Sequence, residues 1–128
     1  MANAADLTDR KQRWSELLAS HRASLSEVID LAASHGGDFI LRELGKQAAS
    51  CMSALNREAL NPYFPEPRHG YGSLGSWGEN GHGPRIRQML DSARFRAACL
   101  ENDRKFAAAI ERCKAAEAVA AARMGRAA

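Results

Sequence analysis

Apolar side chains recur every three or four positions over the first part of the chain, which is the spacing of one face of an α-helix. The stripe consists of Trp14, Leu17, Leu18, His21, Leu25, Val28, Ile29 and Ala32. Thr8 can cap its start, and the glycine pair at 36–37 ends it. A capping-box pattern at 24–27 offers a competing helix start, but the stripe passes it without a change of phase. We therefore predict one helix over residues 8–34, with a bend near Ser24 as the alternative.

A second stripe with the same spacing predicts a helix over residues 38–60. Its members are Ile40, Leu41, Leu44, Ala48, Cys51, Met52, Leu55 and Ala59. Asp38 is a good N-cap, and Pro62 stops the helix because the residue before a proline is pushed out of the α region. Gly45 on this helix often marks a place where another backbone comes close. Because the link between the two helices is short, we expect them to be antiparallel neighbours.

The segment 61–83 holds most of the ten glycines and three of the four prolines of the chain. A loop this long in a compact domain is usually functional or disordered. It also carries aromatic side chains, in which disordered linkers are poor: Tyr63, Phe64, Tyr71 and Trp77. Two interpretations stay open for these side chains. They cover the end of a helix bundle, or they project and bind a partner.

A third helical pattern covers residues 84–124 and begins with Pro84 at the first helical position, where proline is favoured. Its stripe starts with Ile86, Met89, Leu90, Ala93, Ala97 and Leu100. The phase then moves to Phe106, Ile110, Cys113, Glu117 and Ala120. Asn102-Asp103 lies at the change and can cap a new helix. The pattern therefore predicts either one long helix with a kink or two helices that meet there.

These elements predict a single all-α domain over residues 1–128. We expect a small antiparallel helical bundle of three long helices, the third either continuous or split, with a long Gly/Pro-rich loop. Alanine supplies 25 residues, whereas Leu, Ile, Val and Phe together supply only 22. Such a core buries little apolar area, and burial stabilises by about 25 cal/mol per Å². We therefore expect a homodimer or a stable complex with a partner.

Composition and charge narrow the class of protein. The net charge is +3, and arginine outnumbers lysine by 14 to 4, so the charge permits an acidic partner without demanding one. The N-terminus lacks the apolar core of a signal peptide, and no stretch is apolar over the length of a membrane span. The three cysteines are odd in number and widely spaced, which is typical of small core residues in a reducing compartment. These features predict a cytoplasmic protein with no membrane association.

Patterns of known chemistry are absent from the sequence. No pair of histidines and no pair of cysteines has the spacing of a metal site. Cys51 lies on an apolar stripe, where burial raises the pKa of a thiol and makes it inert. The string Gly70–Gly75 matches a dinucleotide-binding motif, but no strand precedes it and no helix follows it directly. We therefore expect no enzymatic activity, no cofactor and no metal.

The remaining hypothesis is a non-enzymatic protein-interaction module, an adaptor or stoichiometric inhibitor of a larger protein. Small helical proteins rich in Ala and Arg are common among bacterial and phage accessory proteins, and we expect this type. Trp, Tyr and Arg carry most of the binding energy at interfaces. The candidate partner-binding residues are Tyr71, Trp77, Arg85, Arg87 and Arg68. On this hypothesis Trp77→Ala weakens partner binding and leaves the helices intact.

The alternative function is that of a nucleic-acid-binding accessory protein. It uses the arginines and aromatic residues between positions 68 and 96, since arginine neutralises phosphates and aromatic rings stack on bases. Arg94 and Arg96 lie about 200° apart on a helix, so they do not form one basic stripe. Binding that fades steeply with salt would favour this alternative.

Overall fold

The computed structural model describes residues 4–60, 77–79 and 81–127, and the side chains of 8–60, 77–79 and 81–125. Three helices occupy these ranges: α1 (Ala4–Ser34), α2 (Phe39–Ala59) and α3 (His82–Ala127). They pack against each other, and no strand occurs in the described residues. The all-α prediction is therefore confirmed, while residues 61–76 and residue 80 of the predicted loop lie outside the described part.

The helix boundaries agree with the apolar stripes, except that α1 begins at Ala4, so Thr8 lies inside the helix and the predicted cap at Thr8 is wrong. α1 continues through Ser24 without interruption. The capping-box pattern at 24–27 therefore does not start a new helix, and the prediction of one helix is confirmed. Asp38 is the N-cap of α2, as predicted, because its carboxylate accepts a hydrogen bond of 3.0 Å from the amide of Leu41. α3 begins two residues before Pro84 and continues through Asn102-Asp103. Of the two arrangements left open for the third pattern, the structure has the single continuous helix.

The core draws on all three helices and on one residue before α3. Its fully buried members lie on the predicted stripes, with Trp77 as the exception. The buried apolar residues are Trp14, Leu25, Val28, Leu41, Ala48, Leu55, Trp77, Ile86, Met89, Ala93 and Ala97. A Cβ atom added to Gly45 would lie 2.6 Å from the Cβ of Ala32. This confirms that Gly45 allows α1 and α2 to approach closely.

Polar contacts join the helices at their exposed edges. Arg22 of α1 donates hydrogen bonds of 2.9 and 3.2 Å to the side-chain oxygen of Asn56 on α2. Arg94 of α3 donates to Glu27 of α1, with Nη2 2.8 Å from Oε1. The antiparallel order of the bundle stays a prediction. The Arg22–Asn56 contact and the Ala32–Gly45 approach both agree with it, since the residue number falls along α1 as it rises along α2.

The second half of α3 extends beyond the bundle. Leu100 lies beside the turn between α1 and α2. Leu100 and the residues of this turn line one shallow groove. From residue 102 to residue 125 every side chain is exposed except Ala109, which is half-buried. We call residues 102–125 the α3 extension. Cys113, which the sequence places in the core, is exposed there because no described element packs against this part of the helix.

None of the described helices is long and apolar enough to cross a membrane.

Candidate functional site

Trp77, which precedes α3 in the chain, packs against α1. This side chain is 1% exposed. Its ring stacks on His82 with centroids 4.1 Å apart and meets Trp14 edge-on at 6.4 Å. The ring of His21 lies 6.2 Å away. We call Trp14, His21, Trp77, His82 and Gly83 the Trp77 junction.

A buried hydrogen bond ties the backbone of this junction to α1. His21 is only 8% exposed, and its Nε2 lies 2.6 Å from the carbonyl oxygen of Trp77. A carbonyl oxygen only accepts, so Nε2 carries the proton and donates. Burial of this polar pair without the bond would cost the desolvation of both groups. Apolar packing buries the Trp77 ring, and the directional hydrogen bond in addition fixes where the backbone of Trp77 lies on α1.

Two glycines let the backbone turn into α3 next to Trp77. Gly81 has a φ of 62°, a conformation that side chains with a Cβ rarely adopt. Gly83 lies so close to the preceding turn that an added Cβ would be 2.0 Å from the carbonyl oxygen of Gly78. Gly81 thus allows the left-handed turn, and Gly83 allows the backbone of α3 to pack closely on that of the preceding turn.

The predicted partner-binding residues divide into three groups. Arg85 and Arg87 are exposed at the start of α3, and no ion pair joins either of them to a residue in the described part of the chain. Trp77 is buried, so the packing interpretation of the loop aromatics holds for this residue, and it does not offer an exposed anchor. Tyr71 and Arg68 lie outside the described residues. Because Trp77 fills the core, Trp77→Ala perturbs stability and does not test binding alone.

Two arginines of the proposed nucleic-acid cluster bind carboxylates of the bundle. Arg94 contacts Glu27 of α1 in a bidentate pair, and this contact holds the pKa of Glu27 below its usual range. Arg96 donates to Asp38 at 2.7 Å. Guanidinium groups engaged in this way are less available to phosphates. Arg85, Arg87 and the 74% exposed Phe95 are the described members of the cluster that remain accessible.

The Asp38 carboxylate joins the α1–α2 turn to α3. Its hydrogen bonds from Arg96 and from the amide of Leu41 lower its pKa from 3.8 to about 2. Since the folded-state pKa lies below the unfolded one, the pair contributes stability above about pH 4 and loses it as the pH falls through 2. The carboxylate thus acts as helix cap and interhelix contact together.

We predict that Asp38→Asn makes the free energy of unfolding change less with pH between pH 4 and pH 2. Asparagine keeps a capping oxygen but has no charge to lose. The free energy of unfolding, measured in urea at several pH values, should differ most from wild type near neutral pH. The two curves should converge toward pH 2. Arg96→Gln should give the same convergence, and parallel curves for wild type and both variants would contradict the assignment.

Other candidate chemistry finds no support among the described residues. Burial raises the pKa of the Cys51 thiol, as its apolar stripe predicts. No group of three or more His, Cys, Asp or Glu side chains in the described ranges is placed to hold a metal ion.

Sequence reasoning did not find the role of His21. It placed this histidine on the apolar stripe of α1, which was the available signal, since a polar residue on a buried face needs a hydrogen-bond partner. The partner is a backbone carbonyl 56 residues away, and no local pattern indicates it.

Comparisons of the chain with family models, with curated proteins and with solved structures find no match.

Proposed function

We propose that this protein is a non-enzymatic interaction module of the cytoplasm that binds a surface of a larger protein, as an adaptor or stoichiometric inhibitor of bacterial or phage accessory type. Its binding end is the end of the bundle at the Trp77 junction. Arg85 and Arg87 are the exposed anchors there. Tyr71 and Arg68, which precede Trp77 in the chain, complete the surface in this proposal.

One observation carries the proposal: the chain before α3 is fixed to α1 beside two exposed arginines. The stack of Trp77 on His82 and the His21 hydrogen bond hold this point of the backbone. Binding residues often lie on loops that a rigid scaffold positions. A surface that is ordered before binding loses less conformational entropy when a partner docks. The scaffold in this proposal is the antiparallel bundle that the contacts between α1 and α2 support.

The experiment starts with affinity capture from the native host and identification of the partner by mass spectrometry. Binding of the purified partner is then measured by calorimetry. We expect the double variant Arg85→Ala/Arg87→Ala to bind at least about tenfold more weakly, because arginine anchors cost more than 1.4 kcal/mol on truncation. Its helical circular dichroism should stay at the wild-type level.

The matched control is Arg42→Ala/Lys46→Ala on α2. It removes the same charge from exposed positions, and we expect binding within a factor of about two of wild type, as for surface changes in general. An equal loss of affinity in both double variants would show that binding depends on net charge and not on the positions of Arg85 and Arg87. Unchanged binding in Arg85→Ala/Arg87→Ala would contradict the proposed surface.

The accessible Arg85, Arg87 and Phe95 also favour nucleic-acid binding as the second candidate. Fluorescence anisotropy with labelled single-stranded and duplex DNA tests it. If nucleic acid is the ligand, affinity should fall steeply between about 50 and 200 mM salt, and the double variant should flatten that dependence. A protein partner bound with weak salt dependence would favour the first proposal.

A further inference from the structure

The apolar face of the α3 extension points away from the bundle. In the first half of α3, Ile86, Met89, Ala93 and Ala97 are buried. In the extension, one face holds Phe106, Ile110, Cys113, Glu117, Ala120 and Met124, all exposed. At about 100° per residue, this face is rotated by roughly 150° from the buried one. α1 and α2 therefore could not cover it even if they were longer.

The chain between Leu60 and Trp77 is too short to cover this face. Trp77 stacks on His82 at the start of α3. Phe106 lies about 36 Å further along the helix at 1.5 Å per residue. Sixteen residues held at both ends reach at most about 31 Å from their anchors, at up to about 3.6 Å per residue. From these anchors the segment between Leu60 and Trp77 therefore does not extend to Phe106.

The sizes of the side chains on the face complement a second copy of the same helix in the opposite direction. Bulky Phe106 and Ile110 lie toward the bundle, whereas small Ala120 lies toward the far end. Antiparallel pairing sets Ile110 against the partner's Ala120 and Phe106 against the partner's Met124. The small Ala120 then faces the bulky Ile110 of the other copy, and the long Phe106 and Met124 side chains face each other at the two ends of the contact. Parallel pairing would set Phe106 against its own copy and leave a gap at Ala120.

The charges on the face favour the same direction. Glu117 interrupts the apolar face, and parallel pairing would oppose it to the partner's Glu117, which is destabilising. Antiparallel pairing places each Glu117 next to the partner's Cys113 and Lys114. Lys114 now contacts Glu111 at 3.5 Å on the exposed surface, where an ion pair contributes little. The paired helices therefore gain two reciprocal Glu117–Lys114 contacts.

We propose that the α3 extension is a self-association surface, on which two copies of this chain pair antiparallel through the face from Phe106 to Met124. The paired stretch is about 27 Å long at 1.5 Å per residue. The two bundles then lie at opposite ends of the paired helices. Each Trp77 junction stays uncovered, so the dimer presents Arg85 and Arg87 twice.

Sedimentation velocity of the full chain at micromolar concentration tests the proposal. We expect twice the mass of 13.9 kDa for wild type. Ile110→Asp places an unpaired charge in the centre of the contact and should weaken association about a hundredfold. The variant should keep the wild-type thermal unfolding of the bundle when both are compared as monomers, because Ile110 touches no core residue. Phe95→Asp is the control, since it is exposed on the same side but lies before the paired stretch.

Reversed charges give a second readout that a folding defect cannot reproduce. Glu117→Lys and Lys114→Glu should each weaken self-association, because each brings like charges together. Mixed in equal amounts, the two variants should form a heterodimer, since each charge then meets its opposite.

Several results would overturn the proposal. A wild-type monomer at micromolar concentration would mean that another occupant covers the face. An Ile110→Asp variant that associates like wild type would place the contact elsewhere, and so would equal losses in Phe95→Asp and Ile110→Asp. Rapid oxidation to a Cys113–Cys113 disulfide between copies would contradict antiparallel pairing, which keeps these Cα atoms too far apart for a disulfide.

Discussion

Replacing Trp77 with alanine is expected to lower the free energy of unfolding by about 3–5 kcal/mol, the usual cost of truncating a buried tryptophan. The side chain is 1% exposed and packs against Trp14 and His82. Truncation leaves a cavity between α1 and α3 and removes three ring contacts, to Trp14, His21 and His82. For a domain of this size, with a total stability of about 5–15 kcal/mol, the loss is a large fraction.

Urea unfolding followed by far-ultraviolet circular dichroism measures this change. Phe95→Ala is the control, because it removes an aromatic side chain that is 74% exposed and should shift stability by no more than about 0.5 kcal/mol. Trp77→Phe should recover part of the loss. A Trp77→Ala variant as stable as Phe95→Ala would mean that the Trp77 junction contributes nothing to the fold.

Helical periodicity predicts the bundle well, because each stripe reports which side of a helix is buried. The stripes of α1 and α2 contain the buried Leu25, Val28, Leu41, Ala48 and Leu55. Local chemistry also predicts the Asp38 cap and the close approach at Gly45. These features depend on residues near each other in the sequence, so a single chain is sufficient to infer them.

Periodicity cannot predict what a stripe packs against. The stripe from Phe106 to Ala120 has the same spacing as a buried one, yet no described element covers it. The reason lies in the direction of the stripe, which is rotated by roughly 150° from the face of α3 that packs on α1 and α2. A pattern of apolar positions carries no information on whether another element lies on that side of the helix.

The position of Trp77 could not be predicted for a different reason. It lies outside any repeating pattern, and its neighbours Trp14 and His21 are more than 50 residues away in the sequence. The glycine and aromatic content of residues 61–83 is compatible with either an exposed or a buried Trp77 side chain. Only the three-dimensional contact with α1 distinguishes the two. The same holds for Arg94 and Arg96, whose carboxylate partners Glu27 and Asp38 come from distant parts of the chain.

Gly83→Ala is expected to destabilise the protein by about 1–3 kcal/mol, although alanine is the better helix former. The substitution gains up to about 1 kcal/mol of helix propensity. The added Cβ, however, would lie 2.0 Å from the carbonyl oxygen of Gly78 and 2.8 Å from that of Trp77. Both neighbours are backbone atoms, which cannot rotate away as a side-chain end would, so the turn at 77–79 must move.

Gly125→Ala provides the matched control, because it is the same substitution in the same helix. An added Cβ there meets nothing within 4 Å, so its stability should stay at or slightly above that of wild type. The two variants therefore differ in the sign of their effect, and that sign separates close packing from helix propensity. In a Trp14→Phe background, fluorescence reports Trp77 alone, and Gly83→Ala should shift its emission to longer wavelength as the ring becomes exposed. Stabilisation by Gly83→Ala with unshifted emission would show that the turn at 77–79 moves at no cost in free energy, and the Trp77 junction could then not hold Trp77 in a fixed position.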